Sequence, residues 1–383
     1  DSTGRARRAS WVSHFGSVAV EQTSASGVSY VMPVLNEAGY LEAAVASILA
    51  QDYAGEVEIV LALGPSTDGT DAIVERLIAA DTRIRSVPNP GMDIPIGLNR
   101  AIAASRFPIV IRVDAHTELA PGYTRRGVET LERTGAASLG GVMIATGRPG
   151  FQAAVARAYN SPFGLGGGAY HGDRAVEGPA ESAYMGIFRR ELFDQVGGFD
   201  ESLRRGEDWE LNFRLRQAGL LVWLDPKLRV SYWPRSTWAR LVRQFYATGV
   251  WRGELVRRLG GRNPLRFFAP PVLLISLVVT VLLTPFAAFG LLPTWLLAIT
   301  GLAALGPLAY LALLVAAGIT DTGSLADRLR FVAVVATMHL SWGAGFLVGV
   351  VRGARDAVDS ETLRRIAEAA GGETFRVRST EDL

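Results

Sequence analysis

The chain has 383 residues, 49% of them hydrophobic, and a formal net charge of only +2. This hydrophobic share exceeds what a water-soluble domain needs, so the composition excludes a wholly soluble protein and predicts that part of the chain lies in lipid. The lack of cysteine excludes a disulfide framework and a thiolate metal site.

Residues 1–27 are rich in Ser, Gly and Arg without a sustained period, and we expect a loose arm there. From residue 28 onward, short apolar runs alternate with segments of helical period. The pattern predicts strands at 28–35, 57–63 and 109–113 and helices at 41–49, 71–80, 94–105, 188–196 and 209–218. The alternation is typical of an α/β domain, here residues 28–235, with a parallel sheet covered by helices on both faces. Ligands of such sheets bind at the carboxyl ends of the strands.

Residues 236–266 form a basic region that precedes the most apolar part of the chain. Between residues 227 and 266, ten basic residues stand against a single acid, Glu254. A helix over 237–258 places Trp238, Leu241, Val242 and Phe245 on one face, which indicates an amphipathic helix at the membrane surface. The alternative is an ordinary surface helix that packs on the sheet. A nucleic-acid partner is disfavoured because candidate membrane spans follow directly.

Residues 267–351 contain three segments, 269–289, 292–319 and 331–351, that are long and apolar enough to be transmembrane helices. Three spans place the amino-terminal domain and the polar tail, residues 352–383, on opposite sides of the membrane. Arg352 and Arg355 follow the last span, however, and this conflicts with a tail on the non-cytoplasmic side. The side of the tail therefore stays open.

A candidate metal site follows the third predicted strand. Asp114 supplies a hard oxygen ligand, and His116 adds a nitrogen that Mn²⁺ accepts more readily than Mg²⁺ does. A divalent cation held there can bridge a diphosphate. The alternative is a strand-end Asp beside a surface His. Arg112, two residues earlier, either pairs with Asp114 or approaches the diphosphate.

A second candidate cluster, Glu207 and Asp208, offers a carboxylate that can act as a general base. The alternative is a pair of acids at a helix N-terminus, where the helix dipole favours negative charge. Asp68 has a similar pair of interpretations, because it precedes Gly and Thr and either caps the following helix or contacts a nucleotide. Asn36 and Glu37, by themselves, indicate a helix N-cap and its first turn.

Five stretches of the chain together match the pattern of a known family. The chain resembles the family 2 glycosyltransferases of the A-type (GT-A) fold, and within them the membrane-anchored, succinoglycan-type (ExoA-like) glucosyltransferases. The stretches follow the family's order over about residues 28–255, and they are specific to the family but not to a sugar. They are VMPVLNE at 31–37, STDGT at 66–70, VDAH at 113–116, GGFDE at 197–201 and GEDWE at 206–210.

The resemblance implies an inverting transfer from a nucleotide-sugar. It places Asp114 and His116 at the family's Asp-x-Asp metal motif, Asp208 at the position of the base, and Glu207 beside it to orient the acceptor. The positions that it implies for the nucleotide-sugar are Pro33, Asn36, Glu37, Asp68, Asp93, Asn99 and Arg112.

Two departures from the family pattern bear on the substrates. Leu63 and Gly64 stand where the family commonly has acidic residues that contact the nucleobase and ribose, so the identity of the donor's nucleobase is open. The Gln-x-x-Arg-Trp motif of the processive synthases is not matched, because Gln244 is followed by Trp251-Arg252 at a different spacing and order. This argues against a processive polymerase.

We therefore expect a multi-pass enzyme of the cell membrane with a cytoplasmic catalytic domain and a Mn²⁺ or Mg²⁺ cofactor. It would move a hexose, from a UDP-sugar by preference, to a lipid-linked saccharide for cell-surface polysaccharide or glycolipid synthesis. Arg235, Gln244 and Arg252 are the candidates for contact with a polyprenyl diphosphate acceptor, and general attraction to headgroups is their alternative. The competing functions are a polyprenyl-phosphate glycosyltransferase, which needs no base, and a non-catalytic nucleotide-binding membrane protein.

Overall fold

The computed structural model describes residues 25–165, 175–182, 184–260 and 263–354. Nearly all of the predicted arm and tail lies outside these residues. The first half of the α/β domain alternates strands and helices as the sequence predicts, and the bounds of the predicted elements agree to within one residue. Its elements are β1 (Val28–Val34), α1 (Leu41–Leu49), β2 (Val57–Leu63), α2 (Thr70–Ala80), β3 (Ile84–Pro88), α3 (Ile94–Ala104) and β4 (Ile109–Arg112). The sequence analysis missed one strand, β3, which lies between the second and third predicted helices.

The second half of the domain adds antiparallel strands. Its elements are β5 (Thr117–Leu119), α4 (Tyr123–Thr134), β6 (Ser138–Ala145), α5 (Phe151–Asn160), β7 (Gly178–Pro179), β8 (Tyr184–Arg189), α6 (Glu191–Val196), α7 (Glu207–Gln217) and β9 (Val222–Tyr232). The strand order is β3-β2-β1-β4-β8-β6-β9-β5, with β7 paired to β9.

The sheet is mixed, whereas the sequence predicted a parallel one. Strands β1 to β4 are mutually parallel, but β8 runs antiparallel to both β4 and β6. The helix predicted over 188–196 begins only at Glu191, because Phe188 and Arg189 belong to β8. Since β8 lies mid-sheet, four consecutive residues of it are buried, and such a run does not distinguish a strand from a buried helix.

Helices cover both faces of the sheet, as predicted. On β1, Tyr30 and Met32 point into the core shared with α1 and α4, while Val31 points into the core shared with α3 and α7. This alternation follows from the two-residue period of a strand, and it decides which face of the sheet each side chain reaches. The architecture is the α/β, GT-A type that the sequence predicted.

Four long helices follow the sheet: α8 (Trp238–Leu259), α9 (Ala269–Ala288), α10 (Thr294–Thr320) and α11 (Leu325–Arg352). By length and composition, the last three could each cross a membrane. Helix α11 is longer than predicted, because it begins at Leu325 rather than at residue 331.

The apolar face of α8 differs from the prediction. Leu241 and Phe245 are buried against Tyr159 of α5 and Phe331 of α11 rather than presented to lipid. Only Trp238, at the start of the helix, remains substantially exposed. The physical reason is α11, which the sequence presented only as a membrane span but which in the structure covers this face.

Candidate active site

The polar motifs of the sequence meet at one edge of the sheet. The loops after β1, β2 and β4 lie there because these three strands are neighbours and parallel. Helix α7 points its N-terminus at the same place. Gly206 precedes it with φ +80°, and a Cβ at this position would lie 3.1 Å from Leu255, so glycine suits both the backbone and the space. The next two residues are Glu207 and Asp208.

Arg112, the last residue of β4, joins the two acidic motifs. Its side chain is only 4% exposed and donates hydrogen bonds to Asp114 (3.0 Å), to Glu207 (3.0 Å) and to Asp208. Two groups that are far apart in sequence, Asp114 and Asp208, therefore contact one guanidinium. Of the two roles considered for Arg112, the structure shows the pairing with Asp114.

This cluster shifts the proton affinity of its members. Burial raises the pKa of Asp208 to about 7, and the negative charges of Glu207 and Asp114 add to the rise, while Arg112 opposes it. Burial alone would lower the pKa of Arg112, but its three carboxylate neighbours raise it well above its ordinary value. Asp208 is thus a carboxyl that changes between acid and base near neutral pH, as a general base requires.

His116 is oriented by Glu37, which follows β1. The two side chains share a 2.9 Å hydrogen bond between Nδ1 and Oε1. Burial lowers the pKa of His116, but the bond to Glu37 and its charge outweigh burial and raise that pKa overall; Arg235 opposes the rise. Because Nδ1 is engaged, Nε2 is the nitrogen left for a metal, in the arrangement that carboxylates commonly impose on metal-binding histidines.

The donor set at this edge fits a divalent cation that shares its coordination with a substrate. Over the described ranges, no group of three or more His, Asp or Glu side chains could hold a metal by itself. Asp114 is 18% exposed and His116 33% exposed, so both are accessible. Mg²⁺ and Mn²⁺ are commonly held by one or two protein ligands plus substrate phosphates and water. Asp114 and His116 suit that kind of site.

Asp68 and Asn36 join the loops after β1 and β2. Asp68 Oδ1 accepts from the backbone N–H of Thr70 (3.1 Å), and Oδ2 accepts from that of Ala38 (3.0 Å). Asn36 has φ +53°, and its Oδ1 accepts from the backbone N–H of Thr67 at 2.7 Å. Asp68 thus makes a capping contact at the start of α2. Asn36 connects the two loops by a hydrogen bond, and the N-cap of α1 is Tyr40 rather than Asn36.

Asp93 and Asn99 mark the two ends of a contact between α3 and the segment before α7. Asp93 pairs with Arg204 at 3.1 Å. Asn99 accepts a hydrogen bond from the backbone N–H of Phe199 (2.8 Å) and donates one to its carbonyl (2.9 Å). These contacts hold the chain that leads into Glu207. Pro33 lies in β1, opposite Ala62 of β2.

The three predicted acceptor contacts lie at different places. Arg235, three residues beyond the end of β9, is near enough to His116 for its charge to act on that ring. Gln244 donates to the hydroxyl of Tyr232 at 3.2 Å. The guanidinium of Arg252 lies over the rings of Trp209 (4.8 Å) and Phe267 (4.2 Å), beside the N-terminus of α7.

The sequence analysis missed several residues that line the site. The hydroxyl of Tyr184 is buried and has no hydrogen-bond partner among the described residues. Burial and the charge of Asp114 raise the pKa of Tyr184 well above its ordinary value. Met185, at φ +53°, accepts from the backbone N–H of Asp114 through its sulfur (3.4 Å). Burial and the charge of Arg235 lower the pKa of Arg205 to about 10. Tyr184 and Met185 lie in the mid-sheet strand β8 and Arg205 lies in the segment before α7. Neither position carries a sequence signal for such a role.

Comparisons with known proteins show the family to which the chain belongs. Residues 29–197 match the family described as glycosyl transferase family 2. The succinoglycan biosynthesis protein ExoA of Rhizobium meliloti (strain 1021) is 34% identical over 329 residues, which cover 85% of this chain and 95% of that protein.

A more distant relative is the dolichyl N-acetyl-alpha-D-glucosaminyl phosphate 3-beta-D-2,3-diacetamido-2,3-dideoxy-beta-D-glucuronosyltransferase of Methanococcus voltae. It is 24% identical over 67% of this chain and 82% of its own length. Among solved structures, the mannosyltransferase PcManGT of Pyrobaculum calidifontis, in complex with GDP-Man and Mn²⁺, has a TM-score of 0.50. It shares 20% identity over 87% of this chain and 90% of that chain, a likeness of fold.

Proposed function

Because the chain belongs to glycosyl transferase family 2 and to its ExoA-like group, we propose that it transfers a hexose, with inversion, from a nucleotide-sugar to a lipid-linked saccharide. The acceptor would be presented at the cytoplasmic face of the cell membrane, for polysaccharide or glycolipid synthesis. The observation that carries this proposal is the contact of Arg112 with Asp114, Glu207 and Asp208. This contact joins Asp114, on the side where the donor diphosphate would lie, to Glu207 and Asp208, on the side of the general base.

On the base side, Asp208 takes the proton from the acceptor hydroxyl as that oxygen attacks the anomeric carbon. Its pKa of about 7 makes the ionised form available at neutral pH. Glu207, which is buried and bound to Arg112, positions this region and orients the acceptor. Arg112 compensates the charges of both carboxylates, so that they can lie close together in a largely dehydrated place.

On the donor side, Asp114 and His116 would hold Mn²⁺ or Mg²⁺, which supplies positive charge to the departing nucleoside diphosphate. Glu37 keeps the imidazole in the orientation that exposes Nε2. Pro33, Asn36 and Asp68 shape the loops where the nucleoside would lie.

Asp93 and Asn99 act one step further away, through the segment that precedes α7. A UDP-sugar is the first donor to test. The nucleobase of the donor is open, because Leu63 and Gly64 stand where the family commonly has acidic side chains that contact the nucleobase and ribose. The transferred sugar is open because the matching stretches are specific to the family and not to a sugar.

The membrane side of the site suits an acceptor that stays in lipid. Helices α9 and α10 expose apolar side chains along their length, and the relative from Methanococcus voltae is named for a lipid-phosphate sugar acceptor. Arg235, with Arg205 beside it, offers cations for the diphosphate of a polyprenyl carrier. Gln244 and Arg252 extend this surface along α8.

The test is a panel of nucleotide-sugars supplied to membranes that contain the protein, with Mn²⁺, lipid-linked saccharides and polyprenyl phosphate as acceptors. Release of nucleoside diphosphate is scored for each pair. Turnover with a lipid-linked saccharide, lost in Asp208→Asn, supports the proposal. Turnover with polyprenyl phosphate that survives Asp208→Asn would favour a phosphate acceptor, and no turnover with any pair would favour a non-catalytic protein.

A further inference from the structure

Helices α8 and α11 pack side by side at unusually close range. A Cβ at Gly345 would overlap the carbonyl oxygen of Tyr246, and a Cβ at Gly349 would overlap that of Val250. Residue numbers rise together along both helices, so the two run parallel. Small residues at a spacing of four permit this approach of backbones. Gly249 and Gly253 of α8 meet α11 in the same way.

Helix α8 belongs to the catalytic domain and is not a membrane span. Five arginines and one glutamate lie in it, at positions 240, 243, 252, 254, 257 and 258. At its end, Arg258 bonds to Ser202 (2.7 Å) and pairs with Asp200 (3.3 Å). Trp251 packs with Trp209, next to the candidate base. A helix that runs parallel to α8 in direct backbone contact follows the surface of the domain too.

Both ends of α11 are tied to the catalytic domain. Near its first turn, Arg157 of α5 donates to the carbonyl of Asp327 (3.1 Å) and pairs with Asp321 (3.0 Å). Just beyond its last turn, the backbone N–H of Ala354 donates to Glu254 of α8 (3.3 Å). A helix that crossed the bilayer would have one of these ends on the far side of the membrane.

Burial and composition separate α11 from α9 and α10. Of the residues in an apolar 18-residue stretch, 6% are buried in α9 and 6% in α10, whereas 39% are buried in α11. The large apolar side chains that α11 exposes lie near its ends, at Leu325, Leu329 and Val351. Basic residues lie beside them, at positions 328, 330 and 352. Exposed apolar side chains with basic side chains close to them in sequence are typical of a helix at the headgroup level.

We infer that α11 does not cross the bilayer but lies between the catalytic domain and the anionic lipid headgroups. Only α9 and α10 then form a transmembrane hairpin. The end of α11 then stays on the side of the catalytic domain, together with Arg352, as basic flanks favour. The inference depends on insertion of α9 and α10 in a membrane and not on the proposed reaction.

The lack of cysteine in the chain makes a direct test possible, because each single-cysteine variant carries one thiol. Four variants would be placed in sealed membrane vesicles: Thr82→Cys in the catalytic domain, Leu291→Cys between α9 and α10, Thr322→Cys between α10 and α11, and Ser379→Cys near the end of the chain. A membrane-impermeant maleimide is added before or after permeabilisation with detergent. The readout is a gel shift of the labelled protein.

We expect the thiols at residues 82, 322 and 379 to share one pattern of labelling, and the thiol at residue 291 to show the opposite pattern. The comparison is internal, so it holds whichever way the vesicles are oriented. Ser379→Cys that labels with Leu291→Cys would overturn the inference, because α11 would then cross the membrane. Leu291→Cys that labels with Thr82→Cys would overturn it as well, because the hairpin would then not cross.

Discussion

Asp208→Asn separates the chemical role of this side chain from its effect on stability. Asparagine keeps the shape of the side chain and can still accept a hydrogen bond from Arg112, but it has no proton affinity in the useful range. General bases typically contribute a factor of about 10² to 10⁴ in rate. We expect nucleoside diphosphate release to fall by about that factor. The wild-type rate should rise as the pH passes about 7 and the carboxyl ionises, and the residual rate of the variant should lack this rise.

The same substitution should stabilise the fold. The pKa of Asp208 is about 7 in the folded protein against 3.8 ordinarily, so the folded chain holds its proton longer than the unfolded chain as the pH rises. Between these two values stability therefore falls with pH. In this interval the free energy of unfolding falls by about 1.4 kcal/mol for each pH unit, so ionising this carboxyl costs the folded state up to about 4 kcal/mol by pH 7. The uncharged amide of the variant would avoid that cost.

The assay is thermal unfolding in detergent beside the rate measurement, at pH 5 and at pH 8. We expect the variant to melt above the wild type at pH 8, with a smaller difference at pH 5. Asp71→Asn is a matched control, since Asp71 is an exposed acid in the first turn of α2. It should leave the rate unchanged and lower the melting temperature slightly at both pH values, because it loses only the favourable interaction of about 0.3–1 kcal/mol with the helix dipole. A near-wild-type rate for Asp208→Asn would refute the base role, and a lower melting temperature at pH 8 would refute the electrostatic argument.

Three further predictions follow from other contacts. Glu37→Gln should raise the Mn²⁺ concentration needed for half-maximal activity by about 10- to 100-fold, because the hydrogen bond that orients His116 is weakened. An unchanged Mn²⁺ titration would contradict the metal assignment. Gly345→Leu should lower the melting temperature, because its side chain would overlap backbone of α8, whereas Gly301→Leu, with no atom within 4 Å of its added Cβ, should be tolerated. Glu58→Gln should cost about 2–3 kcal/mol in unfolding free energy with little change in the turnover of folded enzyme, because its buried carboxylate bonds to two arginines far from the site. Equal losses of stability in Gly345→Leu and Gly301→Leu would contradict the close packing of α8 and α11. An unaltered melting curve for Glu58→Gln would contradict the structural role of its carboxylate.

Local pattern was sufficient to predict the first half of the domain. The strand over 57–63 and the helix over 41–49 have the predicted bounds, because apolar period and turn residues agree there. The strand-end rule likewise predicted that Asp114 and His116 follow β4. What it could not provide is the sheet order, in which β8 enters between β4 and β6 and brings Tyr184 and Met185 under the site.

Long-range contacts account for the rest of the difference. No local signal indicates that Arg112 bonds to Glu207, 95 residues away. Helix α11 shows the same limit in another form, because an apolar side chain such as Val334 or Met338 looks alike whether protein or lipid covers it. Composition predicts that such a face leaves water, and only the packing shows what replaces it.

The stack of Trp209, Arg252 and Phe267 links the candidate active site to the residues just before α9, the first helix of the hydrophobic hairpin. A shortened chain that stopped at residue 263, in an attempt to obtain a soluble enzyme, would lose Phe267 and also Arg266, the ion-pair partner of Glu181. Trp209 would then lose a wall of its pocket, immediately beside the residue that we assign as the base. Truncation of this kind removes a support of the candidate active site together with the anchor, so biochemical work should begin from all 383 residues in detergent or nanodiscs.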